Sequence, residues 1–514
     1  MEYTLEQEKQ YFDKLKASLT QNGKLLYAGR LLQRAAQNYP NSLAILYKDQ
    51  EISYRQLYER ASAFTKLLKQ KGIKPRDKVI ICFENSPEFY IAYYAAWQAG
   101  AVVAPINTFL VERELTHIVN DAQPKMIISS SDRVDVFKKA ASSIEVLTPA
   151  DMPSKLEGAA DDSIDLDPEE LCALLYTSGT TGLPKGVMLS SKNIITNLMQ
   201  GVSRLQMGHG ERLFGVLPLF HVFAQNVFIW GAIFMAATVI LVSKIDRKLI
   251  LEALKYEPTI FLGVPALFGL LCLLRTAPLD SVKYFVSGGD ALPDKIRSYF
   301  ELLYRRKLCN GYGLTETSPV IAVDFTDTAK PTNLVGRPVL GLEIQLRGEE
   351  DGKPVPHGQI GELWVKGDNV MMGYYNAPEQ TEKVLKDGWL NTGDVFYLDE
   401  DGKLVVTGRT KDIIKNKGIN IYPQEIENVI SSYPNVLAVG VVGKADENGE
   451  TPVAFVQLRQ EEPGIENTLM ELCKQQLAAY KVPRQFICSI EELPMTSTRK
   501  INKKLLREQL NKHQ

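Results

Sequence analysis

The stretch Tyr176-Thr-Ser-Gly-Thr-Thr-Gly-Leu-Pro-Lys-Gly186 constrains this chain more than any other. It packs the hydroxyls of Thr177, Ser178, Thr180 and Thr181 among Gly179, Gly182 and Gly186, with one cation, Lys185. Glycines let a backbone turn tightly and present N–H groups to an anion, and hydroxyls and a lysine add donors. Lys185 lies between Pro184 and Gly186, so this is not the loop in which Gly-Lys is followed by Ser or Thr. A flexible Ser/Thr/Gly linker is the bland reading. It fits poorly, because the apolar run Leu171-Cys-Ala-Leu-Leu-Tyr176 enters the stretch as a buried strand would, and Val187-Met-Leu189 leaves it. The pattern predicts a loop built around a polyphosphate.

A chain of 514 residues is too long for one core and predicts at least two domains. A hydrophobic share of 45% and a charged share of 23% are those of an ordinary soluble globular protein. The formal charge of −2 supplies no field for nucleic acid or an anionic membrane. The basic run Arg499-Lys-Ile-Asn-Lys-Lys504 reads as a solvated face or a phosphate contact. Cys82, Cys172, Cys272, Cys309, Cys473 and Cys488 are scattered, with neither metal-ligand spacing nor a disulfide framework. Reduced thiols and a cytoplasmic location are the expectation.

The N-terminal residues are charged and lack an apolar run, which argues against a secretory signal. Leu213 to Val242 carries no Asp, Glu, Lys or Arg and is long enough to propose a membrane span, hence a transporter. Pro218, His221, Gln225, Asn226 and Gly231 interrupt it, and each polar group would need a partner in lipid. A strand, a turn at Pro218 to His221, a buried helix and a second strand are expected instead.

The first half alternates helical and strand-like segments. Leu57, Ala61, Phe64, Leu67 and Leu68 recur at helical spacing, and Gly72 stops that helix. Val79–Cys82, 101–105 and 125–129 read as strands, and Pro87 to Gln98 as a helix. Asp151 to Asp167 reads as a surface loop. This alternation predicts α/β layers with largely parallel sheets. The tail differs: helices at 423–432 and 465–479 and strands at 436–442, 452–458 and 485–490 make a small α+β unit.

Further motifs follow in a fixed order: Leu217-Pro-Leu-Phe-His221, Ser287-Gly-Gly-Asp-Ala-Leu-Pro293, Asn310-Gly-Tyr-Gly-Leu-Thr-Glu-Thr317, Gly388-Trp-Leu-Asn-Thr-Gly-Asp394, Gly408-Arg-Thr-Lys-Asp412 and Lys500. With the loop at 177–186 they resemble the adenylate-forming, AMP-binding superfamily, which includes acyl- and aryl-CoA synthetases, luciferases and nonribosomal adenylation domains. The chain is most similar to the medium- and long-chain fatty-acyl-CoA synthetases. The resemblance implies an α/β multidomain protein: a large N-terminal domain of layered sheets and helices over 1–410, and a mobile C-terminal α+β domain over 411–514. It places the hinge at Lys411.

It also implies the chemistry. A carboxylate attacks the α-phosphorus of ATP to give an acyl-adenylate and pyrophosphate; the thiol of coenzyme A then displaces AMP. Both steps need cations and donors around developing charge. By resemblance, Thr177 and Glu316 hold Mg²⁺, a metal that wants oxygen ligands. The phosphates belong to Thr177, Ser178, Gly179, Thr180, Thr181, Gly182 and Lys185, with Thr315 at the α-phosphate. The Tyr312 ring lies against the adenine with Gly288, Gly289 and Asp290 close to it, and Asn310, Gly311 and Gly313 belong to the same nucleotide-binding set. Asp394 accepts from the ribose hydroxyls and Arg409 adds a fixed positive fork. Lys500 is the catalytic lysine of adenylation; Arg499 stands where the family usually has glycine. Lys417 and Gly418 would serve the thiol step, unless Gly418 merely ends a helix.

For the acid, the resemblance points to His221, Phe261 to Val264, Gly288 and Gly313. His221 takes the aromatic gate position, as a packing and orienting group rather than a titrating base. Val222-Phe-Ala224 has no carboxylate to hold an amine, and an unpaired amine in so apolar a pocket would be costly. A medium- or long-chain fatty acid is the first expectation, an aryl acid the second. A carrier protein as acceptor, an AMP-only ligase, and a nucleotide-binding protein without turnover stay open. So do a peripheral membrane contact and the choice between monomer and homodimer.

Overall fold

The computed structural model describes residues 4–158, 164–177, 183–275, 277–325, 333–349, 351–416, 419–446, 449–495 and 501–512. Among them, seven-stranded and fourteen-stranded sheets build a large lobe, and a five-stranded sheet builds a small one.

The seven-stranded sheet has a parallel centre, Lys78–Cys82 beside Val102–Pro105 and Met126–Ser129. Leu171–Thr177 joins it in parallel, but through a single register pair, Val103 with Ala173. Beyond that pair Leu171–Thr177 continues as a hairpin with Lys185–Ser190, and Gly373–Tyr374 adds a third antiparallel strand. The resulting ribbon projects past the parallel sheet.

The larger sheet is parallel from Leu43–Tyr47 through Thr238–Leu241, Arg212–Gly215, Ile260–Gly263 and Tyr284–Ser287 to Leu308–Gly313. From Leu308–Gly313 onward it is antiparallel, through Val320–Val323 and Leu334–Pro338 to Leu404–Arg409 and Trp389–Leu398. Loops at the C-terminal ends of parallel strands gather on one edge, where α/β sheets bind ligands. His221, Gly288–Asp290 and Leu314–Glu316 all follow such ends, and Tyr312 closes the last of these strands.

Most local expectations hold. The helix over Tyr54–Gln70 buries Leu57, Ala61, Phe64 and Leu68, is capped by Ser53 and Gln56, and stops before Gly72. Helix Pro87–Gln98 is buried on nearly every side, as its all-round apolar sequence requires. It lies between the sheets, where Tyr94 donates to the Ile229 carbonyl (2.8 Å) and Trp97 to that of Cys172 (2.9 Å). Cys82, Cys172, Cys272, Cys309 and Cys473 are buried free thiols, and burial pushes Cys82 up to about 12.

The apolar stretch 213–242 forms two strands flanking a short helix, a π-helical turn at Gln225–Gly231 and a last helical turn. Its polar groups find partners inside the protein. Gln225 accepts from Tyr93 at 2.9 Å and donates to the Phe220 carbonyl at 2.8 Å; Asn226 donates to the Ser318 carbonyl at 2.9 Å. Among the described residues no helix is long and apolar enough to cross a membrane.

In the small lobe, Val436–Asp446 and Gly449–Leu458 form a long hairpin, joined in parallel by Gln485–Ser489. Helices Pro423–Ser431 and Ile465–Gln476 cover it through Ile426, Ile430 and Leu469. The helix considered before Gly418 is absent from the described residues there. Ile414–Asn416 and Ile419–Ile421 pair as strands instead, because Ile414 and Ile421 alternate into the lobe's core. Lys417 and Gly418 lie outside the described residues.

Candidate active site

Strand alternation sorts the ribbon into two faces. Thr177 is paired with Lys185, and Val187 with Tyr374, so these side chains share one face. Tyr176, paired with Gly186, shares the other face with Leu174 and Met188, and these pack on helix Glu112–Ala122. Gly186 leaves little room there: a Cβ would meet the end of the Leu174 side chain at 2.8 Å. Ser178, Gly179, Thr180, Thr181 and Gly182 lie outside the described residues.

On the Thr177 face, the Lys185 ammonium sits over the Tyr374 ring, 5.1 Å from its centroid. The Tyr374 hydroxyl donates to Glu316 Oε1 at 2.8 Å. Burial, then the neighbouring Glu316, drives the Tyr374 phenol well above its ordinary range, so it stays protonated and a donor. Glu316 stands on the 3₁₀ turn Thr315–Thr317 directly after strand Leu308–Gly313, and its backbone carbonyl accepts from Met371 N at 2.8 Å. Tyr374 thus links the loop hairpin to the motif carrying Glu316. Sequence reading missed it; the Gly373-Tyr-Tyr-Asn-Ala-Pro378 run held the signal, aromatics between a glycine and a proline.

Four residues earlier, Tyr312 donates to Asp394 Oδ2 at 2.5 Å, and Arg409 Nε approaches Asp394 Oδ1 at 3.2 Å. Asp394 and Arg409 are register partners on adjacent strands, which aims both at one point. Asp394 is 5% exposed, whereas Arg409 is exposed. The carboxylate raises the Arg409 guanidinium further above its usual value. Burial and then Asp394 hold the Tyr312 phenol protonated. Its ring lies edge-on to Phe396 at 4.9 Å.

Gly288 and Gly289 follow strand Tyr284–Ser287, with Gly289 at φ +80°. The Phe223 ring lies against them, 3.4 Å from where a Gly288 Cβ would stand. Gly313 has no room for a side chain, since a Cβ would lie 2.1 Å from the Pro319 carbonyl oxygen. Asn310 is buried and donates to the Leu334 carbonyl, Gly311 is paired with Val323, and Asp290 is exposed. His221 caps the helical turn at Val222, its Nδ1 accepting from Phe223 N at 3.3 Å. A neutral ring then carries its proton on Nε2, which makes that nitrogen a donor rather than a base.

One expected pocket residue is displaced. Phe261 packs with Phe214, Phe268 and Phe285 in a separate core, while Leu262 belongs to the main one. Alternation along Ile260–Gly263 splits the run between two faces. Lys500 lies outside the described residues.

Glu316 offers carboxylate oxygens, and Thr177 offers a hydroxyl on the ribbon face that carries Tyr374. Among the described residues no group of three His, Cys, Asp or Glu could cage a metal. That donor set fits Mg²⁺, which binds through one or two carboxylates plus phosphates and water.

The sequence model of the AMP-binding enzyme family matches residues 32–375, and that of the AMP-binding enzyme C-terminal domain matches 425–500. A feruloyl-CoA synthase from an Amycolatopsis species is 33% identical, over 91% of this chain and 96% of its own length. A long-chain-fatty-acid–CoA ligase from Bacillus subtilis is 32% identical, over 94% of each. Among solved structures, the Bacillus subtilis O-succinylbenzoate coenzyme A synthetase in complex with ATP and magnesium superposes with a TM-score of 0.85 at 27% identity, covering 94% of this chain and 99% of that one. The loop hairpin, the Glu316 and Asp394 clusters and these matches together place the chain in the AMP-binding enzyme family, as an AMP-forming acid–thiol ligase.

Proposed function

We propose that this enzyme joins a medium- or long-chain fatty acid to coenzyme A through an acyl-adenylate, releasing pyrophosphate and then AMP. The observation that carries the reading is the continuous run Tyr312 to Glu316. It ties a ribose-type acceptor, Asp394 held by Tyr312 and Arg409, to a phosphate end made of Lys185, Tyr374 and Glu316. Lys185 and Thr315 take the phosphates, and Tyr312 with Gly288–Asp290 takes the adenine. Mg²⁺, held by Glu316 and Thr177, would neutralise charge on the triphosphate. Lys500 bridges the carboxylate and the α-phosphate. The small lobe then turns about Lys411 and brings Lys417 and Gly418 to the adenylate, where a residue without a side chain admits the thiol.

The apolar Phe223 and Val264 side chains beside Gly288 and Gly289 favour an apolar tail. An aryl acid is the second reading, favoured by the flat Phe223 ring laid on Gly288 and Gly289 and by the feruloyl-CoA synthase similarity. A panel of fatty, aryl and amino acids, scored by acid-dependent pyrophosphate release with and without coenzyme A, tests both. Turnover of fatty acids above all others is expected; preference for an amino acid would overturn both readings. Lys500→Ala is expected to abolish acid-dependent ATP–pyrophosphate exchange and to spare transfer from a preformed acyl-adenylate. Equal loss of both would refute the two-orientation scheme.

A further inference from the structure

The ribbon that carries Thr177 and Lys185 leaves the parallel sheet after Ala173, so its direction must be fixed by something other than the sheet. One helix, Glu112–Ala122, touches it on both sides of the loop. Before the loop, Tyr176 donates its hydroxyl to Asp121 Oδ2 at 2.6 Å. After it, His117 Nε2 lies 2.9 Å from the Pro184 carbonyl, which can only accept, so this nitrogen carries the proton. His117 and Asp121 are four residues apart and therefore stand on one face of the helix. Asp121 also receives Asn376, two residues beyond Tyr374, at 3.3 Å on Oδ1 and 3.2 Å on its backbone carbonyl. Leu115, Ile118 and Ala122 pack beneath, against Leu174 and Tyr176.

The ladder pair Thr177–Lys185 sets how far apart the loop's ends are. It does not set where they point. The His117 and Asp121 contacts attach to the residues immediately before Thr177 and Lys185, on the face opposite to theirs. We infer that His117 and Asp121 are positioning residues for the triphosphate: they fix the two ends of the loop from behind, so that Thr177 and Lys185 face Glu316. Neither touches substrate. This rests on the ligase reading above, since it assumes that the Thr177 face receives ATP.

The test uses the full chain and measures ATP affinity in Mg²⁺ by calorimetry, with KM for ATP and for the acid, and Tm. Losing either contact is expected to weaken ATP about tenfold, the scale of one lost hydrogen bond that orients a site. His117→Ala and Asp121→Ala should both do so while KM for the acid stays within about twofold. His117→Gln, which keeps an amide donor, should recover most of the loss. Asn120→Ala, an exposed neighbour on the same helix, controls for general weakening of the helix. ATP affinity unchanged in His117→Ala and Asp121→Ala, or a rise in both KM values that follows Tm, would overturn the inference. Wild-type protein that binds ATP without any acid-dependent pyrophosphate release would instead sink the ligase reading and leave the positioning claim to the binding data.

Discussion

The two ends of the proposed nucleotide site are built on opposite principles. At the proposed ribose end, Asp394 is buried, already accepts a hydrogen bond from Tyr312 and is ion-paired with Arg409. Its charge is compensated before any ligand arrives, so it is a preorganised acceptor with lone pairs to spare. At the phosphate end, Glu316 and Lys185 are not paired with each other. Tyr374 stands between them, giving its hydroxyl to one and its ring face to the other. In the proposed function, opposite charges held apart around a neutral aromatic would be completed by a metal and a triphosphate. On the proposed reading, the Asp394 end is a finished site for a neutral group, and the Glu316 end is left open for charge.

If so, removing charge at the unfinished end should cost most. Glu316→Ala is expected to lower acid-dependent ATP–pyrophosphate exchange about a thousandfold, equivalent to roughly 4 kcal/mol of transition-state stabilisation. Glu316→Gln keeps an acceptor for Tyr374 but no charge, and should be nearly as poor. Near-wild-type exchange in Glu316→Gln would break the comparison, since the end would then need only a hydrogen bond. Next comes Asp394→Ala, which strips the acceptor and leaves Arg409 without its partner. KM for ATP should rise about thirtyfold, the range of a hydrogen bond to a charged group. Discrimination between ATP and its 2′- and 3′-deoxy analogues should vanish with it. Persistent discrimination would mean that Asp394 is not the ribose acceptor.

Tyr374→Phe tests the link between the ends more gently. The ring stays over Lys185 and only the hydroxyl goes, freeing Glu316 Oε1. An increase of about tenfold in the Mg²⁺ concentration for half-maximal rate is expected, the low end for one hydrogen bond to a charged group. A matching change in KM for the acid, with none in Mg²⁺ demand, would show that Tyr374 serves packing rather than Glu316.

What was legible in sequence followed from local rules. Helix Pro87–Gln98 carried Pro at its start and apolar residues all round, and it appears with those bounds. The loop motif between two apolar runs became a hairpin because both runs are strands of one sheet. Long-range pairings were not legible. Tyr374 meets Glu316 across 58 residues, Tyr176 meets Asp121 across 55, and His117 meets Pro184 across 67. No periodicity encodes such partners; register and helix packing do. Alternation also misled where a run was read as a block: Phe261 turns away from Phe223 because neighbours on a strand face opposite sides. The alternative in which Gly418 merely ends a helix failed among the described residues, because Ile414 and Ile421 pair across a hairpin.

The smallest expected effect belongs to Arg409→Lys. Arg409 approaches Asp394 through Nε at 3.2 Å with a side chain 47% exposed, so solvent screens the pair and its worth is about 1 kcal/mol at most. Lysine keeps the charge but loses the fork. Asp394 still has Tyr312, so KM for ATP should rise only about threefold, on the order of a partly screened contact. Because exposed charge is screened by added salt, the difference between Arg409→Lys and wild type should shrink further at about 0.5 M salt. A loss beyond about tenfold that survives high salt exceeds what a screened surface pair can supply. Arg409 would then have to touch the nucleotide itself, and the ribose end would no longer be complete without its ligand. The contrast between a finished end and a waiting end turns on that one measurement at high ionic strength.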